Sequence, residues 1–135
     1  MNAATDPIDS FFASRAFGVV GASPRRHKYG NKVLRAYQQN GLAAIPVNPR
    51  EQSIEGVGCV ASVLDLPQDV SSISVITPPA VTERIVEEAI RKGIANVWMQ
   101  PGAESEAAVT ACRQAGINVI ADGSCVLVVL RYRES

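Results

Sequence analysis

The chain has 135 residues, 47% of them apolar, enough to bury roughly two thirds of the surface its unfolded form exposes and to build one core, not two. Its 13 Lys and Arg balance 13 Asp and Glu, so no overall field draws in nucleic acid or an anionic membrane, and any anion must be met by local groups. No stretch reads as a secretory leader or a membrane span, and the odd, scattered Cys59, Cys112 and Cys125 lack any CxxC pairing. One soluble, cytoplasmic domain with reduced thiols is the expectation.

Asp6 before Pro7 reads as a helix N-cap with proline in the first turn, and Ile8, Phe11 and Phe12 then share one helical face. Beyond it, short apolar runs alternate with longer segments of helical period, the pattern of β-α crossovers and a parallel sheet. The predicted strands are residues 16–21, 43–47, 73–77, 96–99 and 117–121, apolar without alternation as strands covered on both faces are. A helix beginning near Tyr29 carries Val33, Leu34 and Tyr37 and stops at Gly41. Residues 61–66 read as a short helical turn. Val81, Ile85, Val86, Ala89 and Ile90 form a strong stripe ended by Gly93, and Ala107, Val109, Ala111 and Cys112 a weaker one ended by Gly116. The apolar tail at 125–130, which fits either a strand or a helical turn by period, is read as a sixth strand. The fold class is α/β: a three-layer, doubly wound, Rossmann-like parallel sheet of about five strands with helices on both faces.

Ligands of such sheets lie beyond the carboxyl ends of the strands, which directs attention to the loops there. After the first strand come Gly21, Ala22, Ser23 and Pro24, then the cations Arg25, Arg26, His27 and Lys28, with Lys32 one turn into the helix that Tyr29 opens. A glycine turn feeding a helix N-terminus suits phosphate, because free amides and the helix dipole both face the anion. The dinucleotide spelling G-x-G-x-x-G is absent. The second strand ends in Asn48, Pro49 and Arg50, where an NAD site would place a carboxylate; a guanidinium there favours a phosphorylated ribose, as in NADP or coenzyme A, and Glu51 keeps NAD as a weaker option. Thr77, Pro78 and Pro79 make a stiff turn after the third strand, and Gln100 ends the fourth, beside a Trp98 expected in the core.

Catalytic groupings are sparse. One histidine excludes a His-rich metal site, and Asp122, with Ser124 and Cys125, is the one carboxylate at the binding edge. A Cys125 nucleophile with His27 as base is the less favoured reading beside a buried Cys125 and a loop His27.

The segments VVGASPRRHKYGNKVLR, IPVNPR, TPPAVTERIVEEAI and VWMQPGAESEAAV, spanning about residues 13–125, together resemble the small single-domain CoA-binding proteins, related to the N-terminal CoA-binding domain of the succinyl-CoA synthetase α subunit. The resemblance implies a Rossmann-type domain that holds coenzyme A, with Gly21, Ala22, Ser23, Pro24 and Lys32 lining the phosphate groove. It implies that Arg50 meets the CoA nucleotide and that Thr77, Pro78 and Pro79 flank its adenine and pantetheine portions. Asn31 stands where many members have histidine, and the tail is less polar than usual. The synthetase's phosphorylated histidine lies in a separate domain, so no ligase chemistry transfers. The expected function is non-catalytic binding of CoA or an acyl-CoA, with a homodimer or a partner enzyme subunit as possible company and neither nucleic acid nor membrane. The alternatives are an NADP-binding oxidoreductase or redox-sensing domain, and a structural subunit with a vestigial site.

Overall fold

The computed structural model describes residues 6–134. Helix α1 (Pro7–Phe12) starts as its sequence dictates, the Asp6 carboxylate accepting from the amides of Ile8 at 2.8 Å and Asp9 at 3.4 Å. Five strands, β1 (Ala16–Val20), β2 (Ala44–Val47), β5 (Val70–Val75), β6 (Asn96–Met99) and β7 (Asn118–Ile120), form one sheet in the order β2-β1-β5-β6-β7. Every pairing in it is parallel. Helices α2 (Tyr29–Gln39) and α5 (Val126–Val129) join α1 on one face, while α3 (Pro79–Lys92) and α4 (Glu106–Gln114) cover the other. This is the expected three-layer, doubly wound α/β architecture.

Each face has its own core. Against α1 and α2 an aromatic cluster forms, with Phe17 stacked on Tyr37 at 5.0 Å and Phe11 edge-on to Trp98 at 5.2 Å between ring centroids. The opposite core is aliphatic, built from Ile73, Val75, Val97 and Met99 against Val86, Ala89 and Cys112. Trp98 is fully buried, as expected of a central strand. Strand β5 begins earlier than its apolar run, because its buried serines find partners: Ser72 donates to the Phe11 carbonyl at 2.7 Å and Ser74 bonds the Tyr37 hydroxyl at 2.6 Å. No helix among the described residues is long and apolar enough to cross a membrane.

Two features depart from the sequence reading. The tail expected as a sixth strand is the helix α5. An Asx turn precedes it, with Asp122 Oδ1 accepting from the Ser124 amide and hydroxyl. The Val126 amide then goes to the Gln100 side chain and the Leu130 amide returns to the Val126 carbonyl, so no neighbouring strand is needed. Val126 is buried and Val128 is 75% exposed, the spacing of a helix lying on α2. The second feature is a hairpin of β3 (Ser53–Ile54) and β4 (Val57–Gly58) between β2 and a short 3-10 turn at Val63–Asp65. Glu55 at φ 50° and Gly56 at φ 79° make its turn, the left-handed pair that a two-residue hairpin requires.

Candidate functional site

The strand order reverses between β1 and β5, because the crossover from β1 leads to β2 on one side and the later strands lie on the other. That reversal opens a crevice at the carboxyl edge, seen here as a cleft of about 340 Å³. Gly21, Ala22, Asn48, Pro49 and Thr77 line it from the three strand ends, and Val81, Arg84, Ile85 and Glu88 from α3.

Two glycines shape the turn at its edge, Gly21 lining the cleft and Gly30 packed behind it. Gly21 turns the chain at φ 95°, and a Cβ there would stand 2.0 Å from the Ile76 carbonyl oxygen. Gly30, in the first turn of α2, has the same relation to the Gly21 carbonyl oxygen at 2.1 Å. The start of α2 is thereby pressed onto the turn that leaves β1. Its end is bare: Lys28 at the N-cap gives no side-chain hydrogen bond, and the amides of Asn31 and Lys32 both return to the Lys28 carbonyl. Free amides at such an end present partial positive charge.

The basic loop is only partly available to an anion. Pro24, Arg25, His27 and Lys28 are exposed. Arg26 pairs with Glu55 of the hairpin at 2.7 Å, and Lys32 with Glu134 at 3.2 Å. The Ser23 hydroxyl accepts from the Arg25 amide at 3.1 Å, which leaves its proton free to donate outward. Asn31 is buried and works inside the loop, donating to the Ser23 carbonyl at 2.8 Å and to Glu55 at 3.1 Å. At the tip of β2, Asn48 ties the second loop to the first, donating to the Ala22 carbonyl at 3.0 Å while its Oδ1 accepts from the Arg50 amide at 2.8 Å and the Glu51 amide at 3.2 Å. The Arg50 side chain is exposed, and no ion pair holds it among the described residues. Pro78 and Pro79 sit exposed at the N-terminus of α3.

Gln100 and Tyr29 lie elsewhere than the cleft. Gln100 is fully buried; its Oε1 accepts from the Val126 amide at 2.9 Å and from the Tyr29 hydroxyl at 3.0 Å. Because a backbone amide can only donate, that oxygen assignment is fixed, and Tyr29 Oη is left to accept from the Cys125 thiol at 2.6 Å. Burial first, then this contact with Cys125, raises the Tyr29 pKa and keeps the phenol neutral. The partner of Cys125 is therefore Tyr29, and the Cys125 and His27 pairing considered from sequence is not formed. Nor did the sequence reading single out Arg84, or Glu88 with its bond from the Ser62 hydroxyl at 3.2 Å. Their signal was present: both flank the Val81 and Ile85 stripe that turns α3 toward the sheet.

Comparison with known proteins converges on one family. A family model described as CoA binding domain matches residues 15–131. A solved conserved hypothetical protein from Pyrococcus furiosus superposes with a TM-score of 0.81 at 39% identity, over 85% of this chain and 98% of that one. The uncharacterized protein YneT of Bacillus subtilis is 28% identical over 109 residues, 81% of each chain. The α subunit of an ADP-forming acetate–CoA ligase II from Pyrococcus furiosus is 33% identical over 93 residues, 67% of this chain. This chain spans 20% of that subunit, and 13% and 11% of the ADP-forming acetate–CoA ligases of Archaeoglobus fulgidus and Methanocaldococcus jannaschii. With the fold, the crevice and a match over most of its length in agreement, the chain belongs to the CoA binding domain family.

Proposed function

We propose that this chain binds coenzyme A or an acyl-CoA at the carboxyl edge of its sheet, without itself catalysing a reaction. The phosphates sit at the loop of Gly21, Ala22, Ser23 and Pro24 and the start of α2, assisted by Arg25 and Lys28, while Lys32 is engaged by Glu134. Arg50 meets the phosphate on the ribose, and the cleft between Asn48, Pro49, Thr77 and α3 takes an uncharged part of the ligand. One observation carries this reading: the uncapped N-terminus of α2 is locked by Gly30 against the Gly21 turn at the head of the cleft. Side chains larger than hydrogen are excluded at both positions, and the amides of Tyr29 and Gly30, unlike those of Asn31 and Lys32, remain free for an anion. The ligand brings a thiol that carries acyl groups. The protein's part is to orient and hold it, and the Cys125 thiol is engaged with the Tyr29 hydroxyl rather than with a base.

The test is a thermal-shift panel of CoA, dephospho-CoA, NADP, NAD and AMP. A ligand at a hundred times its dissociation constant adds about 2.7 kcal/mol to stability. CoA is expected to stabilise most and dephospho-CoA less. Stabilisation by NADP alone would transfer the site to an oxidoreductase or redox-sensing domain, and none by any of the five would reject nucleotide binding.

A further inference from the structure

Beside the phosphate loop, on the side of α2 away from the cleft, three groups converge on one carboxylate. Glu134 lies 3.2 Å from Lys32 Nζ and 3.8 Å from Arg35 Nη1, and Tyr132 donates to it at 3.0 Å. The Arg35 side chain is 5% exposed, while that of Glu134 is 64% exposed. Two of the three Arg35 nitrogens have structural work: Nε donates to Asn31 Oδ1 at 2.7 Å and Nη2 to the Arg26 carbonyl at 2.6 Å. The third, Nη1, is buried without a hydrogen-bond partner. Burying a guanidinium short of acceptors is strongly unfavourable, and bracing the loop explains Nε and Nη2 but not Nη1. The Arg35 guanidinium also lies 5.4 Å from the Tyr132 ring centroid, which fixes Tyr132 beside it. Hydrogen bonds from Lys32 and then Tyr132 hold the Glu134 carboxyl below the usual carboxylate range, so it is charged at neutral pH.

We propose that Lys32, Arg35 and Tyr132 form a second anion seat, built for a phosphate group and filled by the Glu134 carboxylate until that group displaces it. A phosphate supplies more acceptor oxygens than a carboxylate and reaches Nη1 at hydrogen-bonding distance, where Glu134 stops short. Since Arg35 Nη2 grips the Arg26 carbonyl, occupancy of the seat also stiffens the phosphate loop. The seat takes its chemistry from these side chains and stands whether or not the ligand of the cleft is CoA.

The experiment titrates inorganic phosphate, and separately CoA, into the full chain and its variants, following heat and the NMR signals of Arg35 Nε–H and the Tyr132 ring. Glu134→Gln, at an exposed position, is expected to bind phosphate about tenfold more tightly than the parent, with both signals shifting and the gain fading as salt rises. Adding Lys32→Gln and Tyr132→Phe to Glu134→Gln is expected to abolish the gain. Equal phosphate affinity in the parent and Glu134→Gln overturns the seat, as does a gain that survives in the triple variant. Should CoA bind no variant while phosphate behaves as described, the seat stands and the CoA reading falls. Should CoA bind the parent while Glu134→Gln changes neither titration, the reverse holds.

Discussion

An added Cβ on Gly30 would lie 2.1 Å from the carbonyl oxygen of Gly21. The contact is backbone against backbone, so no side-chain rotation can relieve it. Gly30→Ala is expected to cost roughly 3 kcal/mol, near the top of the range for overpacking and well above any gain in helix propensity. Gly41 supplies the control: its φ is 68° with nothing within 4 Å, so Gly41→Ala should cost about 1 kcal/mol through backbone conformation alone. Urea denaturation of the two variants measures the difference, and equal costs would mean that α2 can slide off the turn.

Arg50→Ala is expected to weaken CoA binding by about tenfold, near 1.4 kcal/mol, and to leave dephospho-CoA almost unchanged. Calorimetry on both ligands reads the gap directly. A gap that persists in the variant would assign the ribose phosphate to another cation, with Arg84 in the cleft wall the next candidate.

Gln100 is the hub of a buried chain running from the Cys125 thiol through Tyr29 to Gln100 and Val126. Gln100→Leu strips two donors of their acceptor and is expected to cost about 2–3 kcal/mol, whereas Tyr29→Phe spares the Val126 bond and should cost about 1 kcal/mol. Chemical denaturation that ranks them the other way would show that the Val126 amide finds a substitute.

Stability is expected to fall on the alkaline side in two stages. Burial pushes the Cys112 thiol from 9.0 to about 11. Burial also raises Tyr37 above the free value of 10.0, a shift only partly offset by its bond with Ser74. In both cases the unfolded chain ionises first and so binds fewer protons than the folded chain. The stability these two groups contribute is therefore complete below pH 9 and declines above it, each group adding a slope of up to about 1.4 kcal/mol per pH unit. Cys112→Ala should flatten the decline from pH 9, and Tyr37→Phe only above pH 10, as followed by urea unfolding at successive pH values. A curve that Cys112→Ala leaves unaltered between pH 9 and 11 would place the loss elsewhere.

Much of the fold was legible because its signals are local. Asp6 with Pro7 marks a helix start, Gly93 a helix end, and the apolar runs of 16–20 and 97–99 declare strands buried on both faces. The tail was misjudged for the opposite reason: its valines suit a strand, and what makes it helical is a remote acceptor, the Gln100 side chain, which takes the Val126 amide. The hairpin was missed because Glu55 and Gly56 are not the usual turn pair and the strands beside them are two residues long. At the site, the glycine turn, Asn48 and Thr77 were recoverable from their places at strand ends. Which cations are already spoken for was not, since Glu55 and Glu134 reach Arg26 and Lys32 from segments far along the chain.

The central strand has a consequence for biogenesis. Ala16 of β1 pairs with Val70 of β5, so one flank of the earliest strand stays open while the ribosome makes more than fifty further residues. The glycine turn after β1 leaves the exit tunnel early yet gains its shape late, once Ile76 arrives to bond the Val20 carbonyl. In that interval β1 has only β2 to pair with, and its other edge waits for β5.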